Sequence, residues 1–340
     1  MRPTVQDVAR QAGVSLATVD RVLNRRPGVR ETTIAKVEAA IAKIGYIRDV
    51  SAANLAKRQA YRFAFVIPEG ANSFMRGLEA EIETVKQHPA NDRTEISIYK
   101  VPAFNGAALA AALDGIDPEA YSGVAVVATE SVAVRDALAR LRRHHVPVVT
   151  LVSDFPTFQC DAYVGIDNVA AGRTAARLMG KFLGGRPGKI ALVAGSMLVR
   201  DHVERRMGFE QVIRSDYPHL HCLPVIEAKD DSGLVREHLS GCLKAHDDVV
   251  GIYNMGAGNR GLIEALSGGS PQEHVVIAHE LTEHTRRALT GGIVDAIIHQ
   301  DAGHEVRSAL RILKARIDKT PLLAGQETIR IEIYLNENLS

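Results

Sequence analysis

Three stretches of the sequence carry residue types whose spacing can do chemistry. Residues 13–24, GVSLATVDRVLN, bring Asp20, Arg21 and Asn24 together just after a glycine and a serine. In a DNA groove an arginine can donate two parallel bonds to guanine, an asparagine can bond a base edge, and Leu16 or Ala17 can touch thymine methyls. Residues 256–261, GAGNRG, fit the GxGxxG pattern of a dinucleotide loop, with Glu280 downstream at about the distance of a ribose-binding acid. Asn254 and Met255, however, separate the preceding strand from the glycines. Residues 279–284, HELTEH, approximate the HExxH zinc signature, but histidines five positions apart are turned by roughly 140° on a helix instead of returning to one face. Zinc is therefore not expected there. No serine-nucleophile signature such as GxSxG is present. The cysteines, Cys160, Cys222 and Cys242, are too scattered for a metal site. Neither catalytic nor metal-binding residues are assigned.

The first stretch needs a helix to display it. Thr4 and Asp7 are spaced as a capping box, and Val5, Val8, Ala9 and Ala12 follow at helical spacing until Gly13. Ser15 then caps a second helix from Leu16 to about Asn24. At about 100° per residue, Val19, Val22 and Leu23 share one side of it, and Leu16, Ala17, Asp20, Arg21 and Asn24 share the other. Two short helices around a glycine turn make a helix-turn-helix, whose second helix can enter the major groove. A third helix, from about Glu31 to Ile44, buries Ile34, Val37, Ala40, Ile41 and Ile44 and ends at Gly45.

Charge supports this placement. Residues 1–60 carry 11 lysines and arginines against 5 acids, whereas the rest carries 30 against 35. A basic head on an acidic body is the electrostatic footprint of a head that meets a polyanion. The chain of 340 residues exceeds what one core usually organises, and it has neither an apolar run of membrane-spanning length nor a signal-peptide core at its start. The expectation is a cytoplasmic protein with no membrane partner.

The runs VQDVARQAGVSLATVDRVLN, GVRETTIAKVEAAIAKIGY and SAANLAKR together resemble the lactose repressor (LacI/GalR) family of bacterial transcription regulators. The resemblance implies that Leu16, Ala17 and Arg21 read bases and that Thr4, Ser15, Thr18 and Asn24 fix the register on the backbone. It also implies a hinge helix over 51–58, with Leu55, beside Ala56, wedged into the minor groove and Lys57 and Arg58 on flanking phosphates. Asp20 stands where most members have serine, and GYIRDVSAANLA lacks the proline and asparagine usual after GY. An acid beside phosphates needs an offset. Asp20 is expected to orient Arg21 or Arg25, or to accept a bond from cytosine N4.

From Tyr61 onward, short apolar strands alternate with amphipathic segments, which predicts parallel sheets flanked by helices in two lobes. VGIDNVAAGRTAA and RRMGF extend the resemblance to the effector-binding core of the same regulators, which is similar to periplasmic sugar-binding proteins. That likeness implies three crossovers, placed near 162–167, 291–297 and 321–327. Strand ends and the resemblance together select Asn72, Phe74, Asp154, Arg205, Asn254, Glu280 and Gln300 as effector-binding residues.

The expected fold is thus α/β: a small all-α helix-turn-helix head on a two-lobed, periplasmic-binding-protein-like core. The head spans 1–48, the hinge 49–60 and the core 61–340. Lobe 1 covers about 61–164 and 293–323, and lobe 2 about 165–292 and 324–340. The expected function is sequence-specific regulation, most simply repression, by a homodimer on palindromic double-stranded operator DNA. Its small-molecule effector would be a sugar, polyol, sugar acid or sugar phosphate. No cofactor is required by this reading. The alternative is an NAD(H)-binding redox sensor or oxidoreductase with a DNA-binding head.

Overall fold

The computed structural model describes residues 3–24, 26–46, 60–88, 93–267, 274–323 and 325–339. Arg25, Leu55, Ala56, Lys57 and Arg58, to which DNA contacts were assigned above, lie outside the described residues. The chain divides into two compact units, Met1–Gln59 and Ala60–Ser340.

The head holds α1 (Val5–Ala12), α2 (Leu16–Leu23) and α3 (Glu31–Ile44). Thr4 and Asp7 form the capping box of α1, and Gly13 takes the left-handed conformation, φ 66°, that ends it. That positive φ is cheap only for glycine, so Gly13 sets the tight turn into α2. Val8, Ala9, Val19, Val37 and Ala40 form the small core, with Val22, Leu23, Ile41 and Ile44 packed against it. Ile34 was expected in this core. It is only half-buried and is not among the side chains packed against that core.

In the body, β1 (Tyr61–Glu69), β2 (Thr94–Pro102), β3 (Gly123–Val126), β4 (Val148–Leu151) and β5 (Ala162–Val164) form a parallel sheet in the order β2-β1-β3-β4-β5. Both faces of β1 are covered. Phe63, Phe65 and Ile67 join the core with Leu78 and Ile82 of α4 (Ser73–Gln87), whereas Ala64 and Val66 join Leu109 of α5 (Gly106–Asp114) and Leu138 of α6 (Val132–Arg143). A strand covered on both faces reads as a continuous apolar run, as RFAFVI does.

The second sheet is built from β6 (Gly188–Ala194), β7 (Leu220–Cys222), β9 (Val249–Asn254), β10 (Val275–His279), β11 (Ala296–His299) and β12 (Glu332–Tyr334) in the order β12-β11-β10-β9-β6-β7, and β8 (Ile226–Glu227) also pairs with β6. Four further helices flank it: α7 (Asn168–Leu183), α8 (Arg200–Asp216), α9 (Ser232–Ala245) and α10 (Asn259–Leu266). After α11 (Glu283–Thr290) and β11, α12 (Ala302–Asp318) packs back on α4 and the first sheet. β12 then runs antiparallel to β11.

The second crossover therefore follows His299. Residues 293–299 were expected in lobe 1, but β11 completes the ladder of the second sheet, with Ile277 opposite Ala296 and His279 opposite Ile298. The third crossover falls between α12 and β12. No helix among the described residues is long and apolar enough to cross a membrane.

Candidate functional site

The exposed edge of α2 is the first candidate surface. Leu16, Ala17, Asp20 and Arg21 are all exposed, and Leu16 leaves half its surface to solvent. Ser15 Oγ accepts from Thr18 N at 3.2 Å and lies 2.9 Å from Thr18 Oγ1. Thr4 Oγ1 donates to Asp7 Oδ2 at 2.7 Å and accepts from Asp7 N. The hydrogen bonds of Thr4, Ser15 and Thr18 thus anchor helix starts, whose dipoles favour a phosphate nearby. The Thr4 bonds hold the Asp7 carboxyl below its usual range.

Asp20 does not orient Arg21. Its Oδ1 accepts from Asn24 Nδ2 at 2.7 Å, and its Oδ2 lies 3.4 Å from Arg26 Nη1. The reason is helical spacing: Asn24 is one turn on and directly beside Asp20, whereas Arg21 points about 100° away.

The second candidate is a cleft of about 210 Å³ between the carboxyl ends of the two sheets, lined on one side by Asn72, Thr129 and Ser153 and on the other by Asp201, His202 and Asp230. Asn72 caps α4, its Oδ1 accepting from Phe74 N at 3.0 Å and Met75 N at 3.2 Å. The same side chain reaches across the cleft, where Nδ2 donates to Asp230 Oδ2 at 2.8 Å. Asn72, Phe74 and Glu280 also line a narrower pocket of about 30 Å³ next to the glycine loop.

Behind these pockets lies a buried polar group. α7 and α8 cross so closely that a Cβ on Gly172 would sit 2.0 Å from Arg205 O and one on Gly208 2.1 Å from Val169 O. That glycine crossing seats Arg205, which is 3% exposed. Its Nε donates to Asn168 Oδ1 at 2.8 Å and its Nη1 to Met255 O at 2.7 Å. Glu280, held at φ 72°, accepts from Gln300 Nε2 at 2.9 Å and meets His299 Nδ1 at 3.1 Å. Burial opposes protonation of His299, but the Glu280 bond and charge raise its pKa on balance. Burial, with the Arg205, His202 and His299 charges, pushes His279 well below its ordinary range, so its imidazole is neutral. Its Nε2 meets Tyr253 OH at 2.9 Å.

Arg205 Nη2, Gln300 Oε1, His279 Nδ1 and both Glu305 carboxyl oxygens are buried with no hydrogen-bond partner in the protein. Burial, then the Glu280 charge, raises the Glu305 pKa well above the carboxylate range against the pull of Arg205. A neutral Glu305 both donates and accepts. Buried groups of this kind are costly unless something satisfies them, and hydroxyls, which both donate and accept, are one chemistry that can, although none of these four residues lines the two pockets themselves.

Two expected residues have other roles. Asp154 Oδ1 accepts from Phe155 N at 2.7 Å and Thr150 Oγ1 at 3.2 Å, so it closes the turn after β4 and does not line the cleft. Ser153 takes the cleft position instead, because Val152 at φ 63° turns the strand end. Asn254 lies behind the glycine loop, which it shapes by bonding Asn259 Oδ1 at 2.7 Å and Gly256 N at 3.3 Å. Asp201, His202, Asp230, Ser153 and Glu305 were missed. The only sequence signal was the acidic pair Asp230-Asp231 following a strand.

The GAGNRG glycines serve packing. Gly261 abuts the backbone of Ser232, where a Cβ would come within 1.8 Å of its carbonyl oxygen, and Ala257 N donates to Asp230 Oδ1 at 3.0 Å. The loop thus donates to a carboxylate of the protein, and the space it lines is a pocket of only about 30 Å³.

A family model described as bacterial regulatory proteins, lacI family, matches residues 4–49, and one described as periplasmic binding protein domain matches residues 63–321. The chain is 39% identical over 85 residues to catabolite control protein A of Priestia megaterium, covering 25% of this chain and 26% of that protein. It is 25% identical over 226 residues to the HTH-type transcriptional regulator DegA of Bacillus subtilis, covering 63% and 61%. The matches thus span from about a quarter to about three fifths of these relatives' length. Among solved structures, the glucose-galactose binding protein GanP of Geobacillus stearothermophilus superposes with a TM-score of 0.73 at 21% identity, covering 82% of this chain and 99% of GanP. A solute-binding protein of Burkholderia graminis in complex with D-arabinose gives 0.74 at 21%, covering 82% and 96%. At such identities the likeness establishes the fold of the body.

Proposed function

We propose that this chain, which belongs to the lacI family of bacterial regulatory proteins through its head and to the periplasmic binding protein domain family through its body, is a sequence-specific repressor of transcription controlled by a small polyhydroxylated effector. The head, 1–48, binds operator DNA through Leu16, Ala17 and Arg21, and the hinge, 49–60, carries Leu55 to the minor groove. The protein acts in the cytoplasm as a homodimer, because one recognition helix per head needs a partner on a palindromic site. No catalytic step is assigned to it.

The observation that carries the effector half is the set of unpartnered buried atoms on Arg205, Gln300, His279 and Glu305 behind the cleft. Carboxylates outnumber cations along the cleft walls, with Glu69, Asp201, Asp230 and Asp231 against Lys229. A neutral sugar or polyol therefore suits the cleft better than a sugar acid or sugar phosphate. Effector binding shifts the two lobes between arrangements that differ in operator affinity, and the coupling is reciprocal.

The test is a thermal-shift screen of the full chain against neutral sugars, polyols, sugar acids, sugar phosphates and NAD(H). A ligand at about 100 times its dissociation constant stabilises by roughly 2.7 kcal/mol, a readily measured shift. Stabilisation by a neutral polyhydroxylated compound supports the proposal. Stabilisation by NAD(H) alone would replace it with the redox-sensor reading.

A further inference from the structure

Asp20 is an acid on the face of α2 that must approach a polyanion, and its side chain is 53% exposed. Asn24 Nδ2 donates both to Asp20 O at 2.8 Å and to Asp20 Oδ1 at 2.7 Å. The backbone bond alone would hold Asn24 at the end of the helix, so the carboxylate is not needed as a cap. Arg26 and Asp20 form an exposed pair, which is weak and easily exchanged for a phosphate contact.

What Asp20 can bind follows from its acceptor-only chemistry. In the major groove, guanine O6 and N7, thymine O4 and every phosphate oxygen are acceptors and repel a carboxylate. Cytosine N4 offers a hydrogen with no acceptor beside it on the same base, whereas adenine sets an acceptor, N7, next to its amino group. Resting on the DNA-binding reading above, we propose that Asp20 selects a cytosine in each half-operator by accepting its N4 hydrogen and repelling bases that present acceptors, while Arg26 moves from Asp20 to a neighbouring phosphate. Discrimination is bought with affinity, since the wrong base leaves a carboxylate unpaired against acceptors.

The experiment is enrichment of duplexes from a randomised library by the full-length protein, in parallel with Asp20→Ser and Asp20→Asn. The wild type should favour cytosine at one position per half-site by about tenfold, the range of a single good base contact. Asp20→Ser should lose that preference, keep the rest of the motif and bind more tightly overall. Asp20→Asn keeps the shape and an acceptor for Asn24 but adds a donor, so its preference should move towards adenine. An unchanged motif for Asp20→Ser, with uniformly tighter binding, overturns the inference and leaves the DNA-binding reading standing. Absence of any wild-type motif overturns both. Should Asp20→Ser melt abnormally by circular dichroism, the Asp20→Asn motif decides, and retained cytosine there counts against the proposal.

Discussion

Asn72 in the first lobe donates its Nδ2 hydrogen to Asp230 Oδ2 in the second across 2.8 Å, so one side chain both caps α4 and ties the lobes together. Asn72→Asp separates these tasks. The new carboxylate still accepts from Phe74 N and Met75 N but faces Asp230 with like charge. The expected result is a melting temperature within a few degrees of wild type, a cost below about 1 kcal/mol, together with a larger radius of gyration by small-angle scattering. An unchanged radius would show that this bond does not hold the lobes.

Ser153 supplies a helix cap across the cleft. α8 has no side-chain cap of its own, and Ser153 Oγ accepts from Arg200 N at 3.1 Å and Asp201 N at 3.4 Å. Ser153→Ala should cost about 1 kcal/mol in urea unfolding, the ordinary cost of losing a cap. Asp154→Ala should leave ligand-induced stabilisation intact, because its bonds stay within the turn after β4.

Arg205 is held by two directed bonds that a lysine's single ammonium group cannot reproduce. Arg205→Lys should fold with a loss of roughly 2 kcal/mol and should lose most of the thermal shift produced by the effector, while operator affinity persists. Retention of the full shift would remove Arg205 from the binding site.

Glu305 makes stability depend on pH with a defined sign. Its folded-state pKa lies well above the ordinary 4.5 because of burial and the Glu280 charge, with Arg205 opposing and Asp301 and Asp201 adding to the rise. The folded protein thus holds a proton that the unfolded chain releases. The contribution is fully present below about pH 4.5 and is lost as pH rises towards the folded value. Glu305→Gln has no proton to lose, so its melting temperature should gain on wild type as pH rises above about 4.5, until the folded-state pKa is passed. A difference independent of pH would mean that Glu305 is ionised in the folded protein.

The head was largely legible because its signals are local. Gly13, Ser15, the Thr4–Asp7 box and the Val19 face each act within one helical turn. The strands were legible because both faces of each parallel sheet are covered, which leaves runs such as RFAFVI. The cleft was legible only in part. Asn72 could be placed on the cleft wall from its position after β1, and Arg205 was selected by resemblance alone, but Glu305 and Asp230 matter through contacts far apart in sequence. Asp154 was misplaced for a backbone reason: Val152 adopts φ 63°, a conformation costly for a β-branched residue, and this turns Ser153 to the cleft. Nothing in VTLVSDFP announces that turn. Asp20 was recognised as anomalous, but its partners depend on where the chain goes after α2, which set Arg26 and not Arg21 beside it.

On the proposed function, occupancy of the cleft changes affinity for DNA. The most direct measurement is equilibrium binding of the full chain to a duplex recovered by library enrichment, with and without a saturating neutral sugar or polyol that raises its melting temperature. The expected result is a weakening of about 5- to 150-fold, the usual span of coupling between two sites, and no weakening in Arg205→Lys. Equal affinity with and without a bound, stabilising ligand would contradict it.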